Sequence, residues 1–276
     1  MNKTDRELAF LYDLYVAPDW SERFAELINE HVKMPAKEGR ALYVGAATGS
    51  HVMLLHERSS GQLTITGVDE SADRVRIARA KATAAKRGAE LQFQTSRLDV
   101  LDYPDNTFAL VVGDATMIEP ERLPDVLAEM SRVAARGATV ALNIVSASSF
   151  GEFFSIYWEA LHSAELDEHA YEVPSLINEL PTVSQVEEMA AGAGLKTIES
   201  WTSLEEFHFP SGEEFLQAPL VSDFLLNRWF DMVLPADDEH SRTQVEEQIV
   251  KLIDEERADL DFVLSIKATL VAGRKA

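Results

Sequence analysis

From Arg40 to Ile144 the chain alternates between short apolar runs and amphipathic stretches, and this alternation restricts the fold more than any other feature. Ala41–Val44, Leu63–Val68, Leu91–Thr95, Phe108–Val112 and Ala138–Ile144 read as strands. Ser50–Arg58, the alanine-rich stretch from Ser71 to Arg87, and Leu123–Ala135 read as helices, with Gly88 and Arg136-Gly137 as stops. Five strands separated by helical or turn segments over about a hundred residues require a mostly parallel sheet covered on both faces. Right-handed crossovers make it doubly wound, an α/β fold of Rossmann-like type, with its ligand crevice beyond the carboxyl ends of the strands.

The flanks are helical. Thr4 to Glu7 has capping-box form, with Leu8, Leu11, Tyr12 and Tyr15 following at helical spacing. Pro18 is expected to stop that helix, and Asp19 to Glu22 to start the next, which carries Phe24, Leu27, Ile28 and His31. Beyond Val145 the alternation breaks into two helix-rich excursions, 146–181 and 204–260. A sixth strand is expected at Lys196–Trp201, and a last strand lies within 261–273, where Phe262, Leu264, Ile266, Ala268 and Leu270 alternate with other residues. No repeat or low-complexity linker interrupts the 276 residues, so one domain is expected, with residues 1–38 as N-terminal helices and 40–145 as its core.

Composition narrows the partners. Residues 1–150 carry 21 Asp and Glu against 17 Lys and Arg, whereas residues 151–276 carry 26 against 8. A net charge of −22 repels phosphate backbones, so no nucleic-acid partner is expected. With no cysteine, disulfides and thiolate metal sites are excluded. No His/Asp/Glu cluster has metal-ligand spacing, so no metal is expected either. The start MNKTDRELAF lacks an apolar signal core and no apolar run reaches spanning length, so no membrane span and a cytoplasmic location are expected.

The first strand runs into Gly45-Ala46-Ala47-Thr48-Gly49, and Ser50 then opens a helix. Amides exposed at such a turn and helix start suit an anionic ligand group. The letters discriminate among nucleotide-like ligands. A dinucleotide fingerprint needs glycine where this chain has Ala47 and Ser50, and a phosphate loop needs a lysine where it has Ser50. An acidic pair, Asp69-Glu70, follows the second strand, and Asp99 in Arg97-Leu98-Asp99-Val100 follows the third. A turn, Tyr103 to Asn106, leads into the fourth strand, which ends near Gly113-Asp114-Ala115-Thr116.

This ordered set resembles the class I S-adenosylmethionine-dependent methyltransferases, over much of residues 40–145 and more weakly at the terminal strands. The resemblance implies a seven-stranded sheet with an antiparallel last strand. It implies S-adenosyl-L-methionine as cofactor, its methionine part cradled by Gly45, Ala46, Ala47, Thr48 and Gly49. Asp69, with Glu70 beside it, would meet the ribose hydroxyls, Asp99 and Val100 the adenine, and Gly113 and Asp114 would lie alongside. Three departures stand out: Tyr43 replaces the usual acid two positions before the first glycine, Ala47 the usual middle glycine, and Ala109 the usual acid inside the strand-four motif.

Methyl transfer from a sulfonium is an in-line displacement that alignment can largely drive, so no obligatory catalytic residue is expected. His51 is a candidate base or a packing residue, and Asp114 a cofactor contact, base or turn cap. Tyr12 and Tyr15 are cofactor-covering or core residues, and His162 and His169 surface residues. The aromatics Phe150, Phe153, Phe154, Tyr157 and Trp158, with the 211–234 cluster, either pack helices or line a cavity for a small or lipid-like acceptor. A cofactor-binding protein without activity is the alternative. A nicotinamide oxidoreductase is disfavoured by the missing glycines.

Overall fold

The computed structural model describes residues 3–235, 237–256 and 260–276. Contacts divide the chain into two compact units: one of residues 1–145, 182–203 and 268–276, the other of residues 146–181 and 204–267.

The first unit is built on the sheet. Strands β1 (Gly39–Val44), β2 (Leu63–Asp69), β3 (Leu91–Thr95), β4 (Phe108–Asp114), β5 (Ala134–Val145), β6 (Leu195–Phe209) and β7 (Phe262–Lys275) stand in the order β3-β2-β1-β4-β5-β7-β6. β1 pairs in parallel with both β2 and β4, so strand order reverses at β1. β7 runs antiparallel to β5, with Asn143 opposite Leu270. Leu42, Val44, Val68, Val111, Leu142 and Ile144 are buried in one core layer with Val126, Leu127 and Met130. These last three lie on α5 (Leu123–Val133), whose apolar face repeats every three to four residues. The seven-stranded α/β fold with its antiparallel last strand is the one expected.

Local boundaries differ in instructive ways. The Thr4–Glu7 capping box forms at the start of α1 (Asp5–Leu11), with Thr4 N–H donating to Glu7 Oε2 at 2.8 Å. Pro18, however, stops nothing. It sits inside a π-helical stretch, Tyr12–Ser21, that joins α1 to α2 (Glu22–His31) without a break. The wider turn absorbs the missing proline N–H and re-aims the side chains around it. α3 (Ser50–Arg58) matches expectation, but α4 (Ala72–Ala84) ends before Gly88. Lys86, at φ 57°, adopts the left-handed conformation there instead. The helix expected to reach Ala135 stops at Val133, because Ala134 already pairs with Phe108 as the start of β5.

In the second unit α6 (Gly151–Ser163), α7 (Asp167–Ala170) and α8 (Val173–Glu179) occupy the first excursion. α9 (Val183–Gly192), with its Thr182–Gln185 capping box, belongs to the first unit. The second excursion holds α10 (Gly212–Gln217), α11 (Leu226–Val233) and α12 (Glu239–Glu256), and the expected helix beyond residue 256 runs into 257–259, outside the described residues. Phe150, Phe153, Phe154 and Tyr157 are buried and pack on Trp229, Phe215 and Phe230, with Phe153 stacked on Trp229 at 4.6 Å between centroids. They form this unit's core, whereas Trp158 is half exposed. No helix among the described residues is long and apolar enough to cross a membrane.

Candidate functional site

β1 leaves the sheet at Gly45, and β4 beside it ends at Asp114; the two strands diverge at the point where strand order reverses. A cavity of about 200 Å³ opens there. Gly45 and Ala47 form one wall, with Asp69, Glu70, Ser71 and Arg74 from the end of β2 and the start of α4. Leu98, then Asp114, Thr116, Met117 and Ile118, continue it, and Glu119, Arg122 and Tyr12 complete it.

Gly45 has φ 73°, and a Cβ there would stand 2.1 Å from the Asp114 carbonyl oxygen, so only glycine lets the turn approach β4. Ala47, at φ 44°, also occupies the left-handed region, at a cost of about 1–2 kcal/mol for an L residue. Its N–H donates to Asp69 Oδ2 at 2.9 Å, and Ser71 N–H donates to Asp69 Oδ1 at 2.9 Å. The Asp69 carboxylate thus ties the glycine turn to the start of α4. Burial raises its pKa, opposed by Arg74 and by these two amides.

Asp114 is held differently. Thr116 N–H and Oγ1–H both donate to its Oδ1, at 2.9 and 2.6 Å. Trp20 Nε1–H donates to Thr116 Oγ1 at 2.8 Å, which leaves the Thr116 hydroxyl hydrogen for Asp114. Burial raises the Asp114 pKa, with the Asp69 charge adding to it. Tyr12 reaches the cavity from the π-helical stretch, its hydroxyl 2.7 Å from Ser21 Oγ and its ring beneath the Arg74 guanidinium at 4.3 Å.

Other expected residues lie elsewhere. Ala46, Thr48, Gly49 and Gly113 do not line the cavity. Ala46 and Thr48 are buried, Gly49 packs against Ala78 and Phe93, and Gly113 against Val44 and Leu142. Asp99 is engaged by Arg97 through two bonds of 3.0 Å and by Arg122 at 3.6 Å, and Val100 is 59% exposed. Arg122 also donates to Glu70 Oε2 at 3.1 Å, so an ion-pair chain runs Arg97–Asp99–Arg122–Glu70 beside the cavity. Tyr15 is exposed, and His162 pairs with Asp167 in the second unit. Among the described residues no group of three His, Cys, Asp or Glu could hold a metal.

His51 is not aimed at the cavity. Tyr43 O–H donates to its Nδ1 at 2.7 Å, and its Nε2–H donates to Asn29 Oδ1 at 3.2 Å, an acceptor shared with Arg58. Tyr43 is buried and its pKa is raised by that burial, so position 43 contributes no negative charge. Burial and the Arg58 charge lower the His51 pKa from 6.5 to about 4. An unfolded chain therefore takes up this proton near pH 6.5, the native state only near pH 4, and stability is lost as pH falls between them. Asp69 and Asp114, with raised values, act in the opposite sense. His51→Gln removes only the histidine's contribution, so between pH 6.5 and 4.5 it should lose about 2–3 kcal/mol less stability than the wild type. Denaturant unfolding at both pH values measures this, and parallel acid limbs would refute it.

The residues that sequence patterns did not place here are Ser71, Arg74, Leu98, Met117 to Glu119, and Arg122. Arg74 had a usable signal, since a side chain one turn into a helix points back towards its N-terminus. Trp20, which anchors Thr116 from 96 residues away, had none.

Residues 41–137 match the family model described as a methyltransferase domain. A curated relative, phosphatidylethanolamine N-methyltransferase of Cereibacter sphaeroides, is 35% identical over 112 residues, 39% of this chain. The chain covers 51% of that relative's length. Among solved structures, the YcgJ protein of Bacillus subtilis matches with a TM-score of 0.59 at 16% identity, over 92% of this chain and 98% of its own. Geranyl diphosphate C-methyltransferase of Streptomyces coelicolor A3(2), in complex with Mg²⁺, geranyl diphosphate and S-adenosyl-L-homocysteine, matches with a TM-score of 0.53 at 11% identity. That match covers 93% of this chain and 79% of the other. At these identities the structures share the fold.

Proposed function

We propose, for a chain whose residues 41–137 match a methyltransferase domain, that it transfers a methyl group from S-adenosyl-L-methionine to a small or lipid-like acceptor. The observation that carries the reading is the cavity at the β1/β4 divergence. A glycine-permitted turn and two carboxylates, the buried Asp69 and the partly exposed Asp114, meet there inside the matched segment. The residues present suit such a ligand: Gly45 lets the turn close onto β4 at the cavity wall, and each Asp69 oxygen keeps a lone pair beyond its amide bond.

When bound, the cofactor supplies a methyl group on a sulfonium, already activated for displacement. The chain's part is placement. Gly45 and Ala47 set the floor, Asp69 offers acceptors to vicinal hydroxyls, and Tyr12 with Ile118 provides apolar cover that excludes water. The relative that methylates phosphatidylethanolamine supports a lipid-like acceptor. No residue is assigned as a general base.

Titration calorimetry with S-adenosylmethionine and S-adenosylhomocysteine, then methyl-transfer assays on small and lipid-like acceptors, tests the reading. Binding of neither ligand would sink it. Binding without turnover on any acceptor would favour a cofactor-binding protein without activity, a reading that Tyr43 and the strained Ala47 keep in view. Asp69→Ala should weaken binding about tenfold or more, because bonds to a charged acceptor contribute about 1.5–3 kcal/mol. Unchanged affinity would remove Asp69 from the ligand.

A further inference from the structure

Another cavity opens at the opposite end of the sheet. It holds about 470 Å³ and lies where β1, β4 and β5 begin and β7 ends, the seven residues of β4 away from the Gly45–Asp114 crevice. An irregularity in the sheet makes room for it. Phe108 pairs with Ala134 and Leu110 with Thr139, so Ala109 alone on β4 faces residues 135–138 on β5. The surplus residues turn at Gly137, φ 75°, and Arg274 fixes them by donating from Nη1 to the Gly137 carbonyl at 3.0 Å.

The lining is chemically divided. Lys33, Arg136 and Arg274 supply three cations, and no Asp or Glu lines the cavity. Met34, Pro35 and Ala109 lie on its apolar side. In a chain of net charge −22 such a lining goes against the background. Ala109 contributes to it directly, since a methyl group stands there in place of the acid usual in the strand-four motif. Among the described residues neither Lys33 nor Arg136 has a hydrogen-bond or ion-pair partner, and the Gly137 bond occupies one N–H of the Arg274 guanidinium. Glu199 lines an adjoining cavity of about 140 Å³ that shares Lys33, Thr139 and Arg274, and it forms no ion pair with either cation. The positive field is felt by Lys275, which donates to the Arg132 carbonyl at 2.9 Å. Burial lowers its pKa, and the Arg132 and Arg136 charges add to that against Asp105.

Three cations gathered without a carboxylate repel one another, and a bound anion relieves that repulsion. A carboxylate pairs with one guanidinium through its two oxygens, whereas a phosphate has acceptors enough for all three groups. The volume exceeds that of a phosphate alone and falls in the range of small-molecule sites, about 300–1,000 Å³. The apolar side has only an apolar group to gain. We propose that this cavity binds a phosphate group carried on an apolar body, with Lys33, Arg136 and Arg274 around the phosphate and Met34, Pro35 and Ala109 against the body. A soluble phosphate ester and the headgroup of a phospholipid share that chemistry. The site is separate from the Gly45–Asp114 cavity, and its occupancy does not depend on methyl transfer.

Calorimetry on the full chain compares octyl phosphate, below its micelle-forming concentration, with inorganic phosphate and with octanol. Wild-type protein should bind octyl phosphate about tenfold or more tightly than either. Lys33→Gln and Arg136→Gln, both at exposed positions, should each weaken octyl phosphate about tenfold, and Ala109→Asp should abolish its binding. Arg87→Gln removes the same charge at an exposed position outside the cavity and should stay within about twofold of wild type. No binding of octyl phosphate by the wild type, equal binding of octanol or inorganic phosphate, or an equal loss in Arg87→Gln overturns the proposal. The wild-type comparison and the exposed-site variants decide the matter even if Ala109→Asp folds poorly. Vesicles of phosphatidylcholine with and without phosphatidic acid then separate the sources. Sedimentation with the phosphatidic-acid vesicles that is lost in Arg136→Gln assigns the phosphate to a lipid headgroup, and octyl phosphate binding without that dependence assigns it to a soluble ester. S-adenosylhomocysteine affinity in Lys33→Gln and Arg136→Gln should equal that of wild type, so failure of this proposal leaves the methyltransferase reading standing.

Discussion

Gly45→Ala is expected to destabilise the protein by about 2–4 kcal/mol and to abolish ligand binding in the cavity beside it. Two costs combine at this position. The backbone is held at φ 73°, which disfavours any L side chain, and the added methyl would lie 2.1 Å from the Asp114 carbonyl oxygen and 3.2 Å from its carbon. Neither partner can retreat cheaply, since Val44 is in register with Gly113, and Gly113 in turn with Leu142. Relief must come from displacing the turn itself, and the turn is the cavity floor. Denaturant unfolding and calorimetry with S-adenosylhomocysteine measure the two effects. Gly88→Ala, where the added methyl meets nothing within 4 Å, should stay within about 0.5 kcal/mol of wild type. Wild-type stability and affinity in Gly45→Ala would show that the β1/β4 crevice is looser than described.

Trp20→Ala should cost about 3–5 kcal/mol, the range for emptying a buried aromatic site. Trp20 is fully buried, packs on Phe24 at 4.9 Å between centroids and donates to Thr116. The loss would leave a void under the π-helical stretch and free the Thr116 hydroxyl that orients Asp114. Trp20→Phe separates the two roles. It keeps most of the packing and removes the N–H, for about 1 kcal/mol of stability. If the alanine variant unfolds at the same denaturant concentration as the wild type, the N-terminal segment does not dock through this side chain.

Much of the fold was legible because it follows from local pattern. An apolar run that ends in glycine, followed by an amphipathic stretch, has few ways to bury its faces, and its repetition between residues 40 and 145 specifies a parallel sheet. The capping box at Thr4 was readable for the same reason, since its bonds close within four residues. Pro18 misled because the π-helical turn that accommodates it is stabilised by tertiary partners such as Trp20. The Gly88 stop misled because Lys86 accepted the left-handed conformation two residues earlier.

At the site, the residue types at the ends of β1, β2 and β4 were readable, because strand ends at a point of reversed order face a crevice whatever the packing. Gly45, Asp69 and Asp114 were singled out by their strand-end positions together with the resemblance to the methyltransferase family. What those carboxylates do with their oxygens was decided only in three dimensions. Asp69 accepts one amide on each oxygen, from two residues ahead and 22 residues behind, whereas Asp114 takes both of its bonds from Thr116 on Oδ1. Asp99 turned to Arg97 and Arg122, which lie on either side of it in sequence but meet at one carboxylate. Periodicity and turn chemistry act over a few residues and so are written along the chain. Hydrogen-bond occupancy and charge pairing depend on groups tens of residues apart, and these exist as neighbours only once the chain has folded.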